Sequence, residues 1–180
     1  MIISDLTYKV VAYSEIPSYN TDECVDWAIE MVGLGYDTEN LLILAGLNKP
    51  TNYFETVKFL NLAIRECGLV LKSGKEGVIS YSFYYIKQIA KSINVKENLS
   101  KVYKYYISID NDKLNGNKPI FDFYLLNWAW SDLDYNNTQQ EYWPGATISN
   151  IEQTVINFAN KWLVENENHY WQQLIAKNNT

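Results

Sequence analysis

A chain of 180 residues, 47% apolar and 20% charged, has the length and composition of one folded domain. It can bury roughly 70% of its unfolded surface without help from a metal or disulfide. No apolar run approaches the ~18 to 20 residues that span a bilayer, and the start Met1-Ile2-Ile3-Ser4-Asp5 lacks the basic and apolar stretches of a signal peptide. The expected compartment is therefore the cytoplasm. The net charge of −6 is unevenly spread. One Lys and eight acids precede residue 49, twelve basic and six acidic residues occupy 49–118, and two Lys face seven acids beyond that. Acidic ends around a basic middle either balance charge between solvated helix faces or present an acidic surface that steers a basic partner. Nucleic acid is disfavoured, because the basic residues are spaced along helices rather than gathered in a stripe.

Ile3, Leu6, Val10 and Tyr13 recur at helical steps, while Leu6, Tyr8, Val10 and Ala12 alternate, so helix and strand both stay open for the first element. Thr21 is the expected N-cap of a second helix, with Asp22 and Glu23 in its first turn, Val25, Ala28, Ile29 and Val32 on one face, and Gly33 and Gly35 ending it. Asp37 or Thr38 caps a short third helix that Gly46 stops. A fourth starts at Thr51 or Asn52, runs its core stripe through Phe54, Val57, Leu60, Ile64 and Cys67, and ends at Gly68. The fifth is expected from about Glu76 to Ile93, with Ile79, Phe83, Ile86, Ala90 and Ile93 inward, and the sixth from about Leu99 to Ile109.

Asn115-Gly116 signals a turn. Pro119 suits the first turn of a seventh helix reaching about Leu133. That helix is apolar on nearly every side and is expected to be the buried central element. A loop over 134–148 turns at Pro144-Gly145. Ser149 and Glu152 have capping-box spacing and open a last helix through Ile151, Val155, Phe158, Trp162, Tyr170 and Leu174, with 177–180 frayed. The expected fold is all-α: one domain over 1–180, with about seven or eight helices in irregular antiparallel pairs, bundle-like or like a short helical repeat. No strict internal period supports a true repeat protein.

The catalytic inventory is thin. One histidine, His169, four residues after Glu165, has no nucleophile motif beside it. One His and two Cys supply neither the number nor the spacing of a zinc site, and no Glu-x-x-His pair offers a di-iron site. Phosphate-loop, dinucleotide and nucleophile-elbow motifs are absent, and the glycine-rich stretch 68–77 lies between helices rather than after a strand. Cys24 and Cys67 read as buried small hydrophobes. The sequons at Asn98 and Asn136 read as chance. No cofactor is expected.

Residues 119–160 carry no Lys or Arg but five acids, Asp122, Asp132, Asp134, Glu141 and Glu152, among nine aromatic residues. Such a segment is either a core helix with a solvated rim or a binding face. Trp and Tyr dominate interface hot spots, so Trp130, Asp132, Asp134, Tyr135, Glu141, Tyr142 and Trp143 are the candidate partner-binding residues, with a basic protein as the partner. The alternative is carbohydrate binding or glycoside hydrolysis, which paired carboxylates beside aromatic platforms also suit.

The stretch Asp26-Trp27-Ala28-Ile29-Glu30-Met31-Val32-Gly33-Leu34-Gly35-Tyr36-Asp37, followed by Leu41-Leu42-Ile43-Leu44-Ala45-Gly46-Leu47, resembles a pattern in small helical bacterial proteins, some of which are similar to toxin-immunity proteins. The pattern is a packing motif without a catalytic residue. The resemblance implies a bacterial source, a helical fold and a protein-binding, inhibitor-like role, and it transfers no site.

Overall fold

The computed structural model describes residues 2–109, 120–136 and 139–176. Eight α-helices follow one another among them: α1 (Thr7–Val10), α2 (Asp22–Gly33), α3 (Glu39–Ala45), α4 (Tyr53–Glu66), α5 (Gly74–Ala90), α6 (Val95–Ile109), α7 (Phe121–Asn136) and α8 (Ile151–Leu174). The fold is all-α. The described residues hold one antiparallel bridge, Leu69 with Ile175, and no longer strand pairing. No described helix is long and apolar enough to cross a membrane. Contacts gather into two compact units, one formed by residues up to Tyr81 with those from His169 onward, the other by Ser82–Asn168.

The first unit is built on α2, α3 and α4. Trp27 and Met31 of α2, Leu41 and Leu44 of α3, and Leu60 and Ile64 of α4 are fully buried, each stabilising the fold by about 1.5–3 kcal/mol. The Trp27 indole N–H donates to Thr7 Oγ1 at 2.9 Å, so the buried indole brings no unsatisfied donor with it. Turn chemistry fits the sequence. Asn52 caps α4 by accepting from the Glu55 N–H at 3.2 Å, and Gly68, at φ 69°, takes the left-handed conformation that ends it.

The first element is neither a long helix nor a strand. It is one α-turn, Thr7–Val10, followed by a 3-10 turn at Tyr13–Glu15, and every residue from Thr7 to Tyr13 is buried. A segment covered on all sides carries no one-faced pattern, which is why both periodicities could be read from it. Thr21 does not cap α2 with its side chain. Its hydroxyl faces that of Thr51 at 2.7 Å, and Asn20 Oδ1 accepts from the Asp22 N–H at 3.1 Å instead. Phe54 is not core: it lies in the exposed first turn of α4 and is 81% exposed.

In the second unit, α5 stops at Ala90 rather than continuing to Ile93, which is exposed. Asn94 at φ 41° turns the chain, and α6 begins four residues earlier than its apolar pattern indicates because Val95 is buried at its start. Phe83, Ile86 and Ile89 of α5, Leu99 and Val102 of α6, and Phe123, Leu126 and Ala129 of α7 form the core. The Ser149–Glu152 capping box does not form. The Ser149 hydroxyl is engaged with that of Thr147 at 3.0 Å, and Asn150 occupies the position before α8, its carbonyl accepting from the Thr154 N–H at 2.9 Å. The Asn115-Gly116 turn, Pro119 and the 177–180 tail lie outside the described residues.

Candidate functional site

Helix α7 divides its rings between two sides. Phe123 and Trp130 point inward, Phe123 meeting Phe158 and Trp162 edge-on at 5.0 and 5.9 Å. The expectation that α7 is buried all round fails on its other side. Phe121, Tyr124 and Trp128, spaced i, i+3 and i+7, are only half-buried there. They are covered by rings of α6 and of the loop before α8. Tyr103 stacks on Tyr124 at 5.5 Å and meets Trp128 edge-on at 6.0 Å, and Tyr142 stacks on Trp128 at 6.0 Å. Phe121, Tyr124, Tyr103, Trp128 and Tyr142 thus make a continuous aromatic ribbon. The Trp128 Nε1 atom within it is buried and has no hydrogen-bond partner among the described residues.

At the Tyr142 end the ribbon meets an open depression of about 440 Å³ lined by Asp132, Gln139, Gln140, Glu141 and Tyr142. Asp132 comes from the last turns of α7, the others from the following loop. Gln140 gives that loop its shape. Its Nε2 donates to the carbonyls of Trp143 at 2.6 Å and Ala146 at 3.2 Å, and its Oε1 accepts from the Trp143 N–H at 2.7 Å. Gly145, at φ 81°, completes the turn.

The seven residues singled out from sequence separate into distinct roles. Asp132, Glu141 and Tyr142 come together at the depression, where Tyr142 is 41% exposed. Neither carboxylate has a hydrogen bond or ion pair among the described residues. Tyr135, 88% exposed, stands on the last turn of α7 outside the lining. Asp134 is already occupied, forming an ion pair with Lys96 at 2.5 Å. Trp130 is corrected: at 9% exposure it underlies the face and is not a contact residue, although Lys96 Nζ lies 6.0 Å over its ring. Trp143 is half-buried against Phe158, edge-on at 5.2 Å, and holds the loop down.

Sequence reading missed Tyr103, Tyr124, Trp128 and the two glutamines. The 121–124–128 spacing was a visible signal for the ribbon. Nothing in the sequence marked Gln139 or Gln140.

Burial pushes the Cys24 thiol up to about 12, and burial also raises Cys67 and Tyr19 above their ordinary values. His169 is exposed, with a ring nitrogen 2.8 Å from Gln173 Nε2. Asn98 is buried and its amide donates to the Ile93 carbonyl at 2.8 Å, so its sequon nitrogen is committed inside the fold. Among the described residues no three His, Cys, Asp or Glu side chains gather as a metal site would require. No family model, curated protein or solved structure matches the chain.

Proposed function

We propose that this is a non-enzymatic protein-binding protein, of the inhibitor or immunity type, that engages a basic protein through the face around Asp132, Glu141 and Tyr142. The observation that carries the reading is a pair of carboxylates with no ion pair among the described residues, beside an exposed tyrosine that is itself stacked on Trp128. Rigid aromatic anchors bounded by acids favour a partner bearing positive charge, and complementary fields raise its association rate. The test is capture from the native lysate by wild type and by Asp132→Asn/Glu141→Gln, each at low and high salt. A basic protein retained by wild type at low salt, and lost in the variant, supports the reading. A partner held equally by both proteins removes this face from the account.

Carbohydrate binding is the second reading, and what favours it is that Gln139 lines the same depression as the two carboxylates and Tyr142. Sugar hydroxyls pair with amides and carboxylates, and a pyranose face lies against an aromatic ring. Retention on a glycan array that Tyr142→Ala abolishes would put this reading first, and an empty array would remove it.

A further inference from the structure

Building on the protein-binding reading, we infer that the aromatic ribbon and the acidic depression form one continuous docking surface for an arginine-bearing segment of the basic partner. Two observations converge. Tyr124, Tyr103 and Trp128 are half-buried rather than sealed, so the ribbon presents edges and faces to solvent along α6 and α7 up to Tyr142. At the same end of α7 the fold already holds a cation between a carboxylate and an indole, in the Lys96 contacts with Asp134 and Trp130.

Charge complementarity decides the occupant. No Lys or Arg lies in 119–160, and Asp132 and Glu141 are unpaired among the described residues. A basic segment therefore fits better than an apolar helix or a second copy of this chain, whose own net charge is −6. Stacked rings select arginine over lysine. A planar guanidinium lies flat on an aromatic face while its fork meets a carboxylate, and it sheds water more readily than an ammonium.

The test titrates the whole protein with nona-arginine and with nona-lysine, peptides of equal charge. Binding of nona-arginine about fivefold tighter is expected, because lysine also makes a cation–π contact and the preference measures only what the stacked, forked guanidinium adds. Tyr142→Leu and Tyr124→Leu should each narrow that preference, weakening nona-arginine more than nona-lysine, and Tyr142→Phe should keep it. Asp132→Asn/Glu141→Gln should weaken both peptides. Circular dichroism confirms that each variant folds. Equal binding of both peptides, still weakened by the carboxylate variant, would overturn the ribbon while leaving the acidic face standing. No carboxylate-dependent binding of either peptide would overturn both readings.

Discussion

The Lys9–Glu23 pair permits a quantitative test of what holds the first unit together. Lys9 Nζ lies 2.5 Å from Glu23 Oε1, and the two side chains are 5% and 26% exposed. The ammonium also lies 5.2 Å over the Tyr81 ring. Glu23→Gln keeps the shape and removes the carboxylate from a buried ammonium that also meets the Tyr81 ring. Removing one partner of a buried pair costs ~3–5 kcal/mol, and the partial exposure of Glu23, which admits water, sets the expected loss at about 3 kcal/mol. The partners should be unequal. Lys9→Met leaves a carboxylate that can turn to solvent, so it should cost less than Glu23→Gln, and the double variant should recover most of the Glu23→Gln loss. Urea unfolding followed by far-UV circular dichroism reads all four proteins. A Glu23→Gln loss below about 1 kcal/mol, or a double variant no more stable than Glu23→Gln, would refute the claim that the Lys9–Glu23 pair is a main support of the first unit.

Three further outcomes follow from the same geometry. With Cys24 held at about 12 and Cys67 raised by burial, neither thiol should react with a disulfide reagent at mildly alkaline pH until urea unfolds the chain; prompt labelling of the native protein would contradict the packing. The backbone N–H and hydroxyl of Thr51 hold Asp22 below the usual carboxylate value, and the Asn40 amide does the same for Glu66. Their folded values lie below the unfolded ones, so this stability is complete above about pH 5 and is lost as pH falls through the folded values; Asp22→Asn/Glu66→Gln should flatten the acid limb of stability against pH, and an unchanged limb would assign it to other groups. Gly77→Ala should destabilise although alanine is the better helix former, since a Cβ there would lie 2.7 Å from Glu15 Cγ and 3.0 Å from the Lys72 carbonyl oxygen; a raised unfolding midpoint would show that the neighbours give way.

Helix existence was legible wherever one face is buried and the other solvated. α3 and α4 follow Leu41, Leu44, Leu60 and Ile64, and Asn52, Gly46 and Gly68 mark their ends as turn chemistry requires. Legibility failed where tertiary contacts outweigh local pattern. Residues 7–13 are buried on every side, so their periodicity carries no direction. Phe54 matches a core stripe by spacing yet sits in a turn that nothing covers. Serine and glutamate at 149 and 152 have the right interval, but the side chains at 147 and 150 take over the local hydrogen bonds. At the candidate site the acids and Tyr142 could be named from composition, whereas the fate of Trp130 and Asp134 depended on which side of α7 each faces and on where Lys96 lies across from it. The ribbon needed α6 beside α7, a long-range pairing that no local interval encodes.

The most direct measurement places a photo-crosslinking amino acid at Tyr135, the exposed ring at the end of the proposed face, and in a second protein at Phe54, the exposed ring of α4. Irradiation in native lysate is expected to attach a basic protein at position 135 and not at 54, with the adduct reduced by Asp132→Asn/Glu141→Gln. The same partner attached through position 54 and not 135 would contradict the central claim and move the binding surface to the first unit.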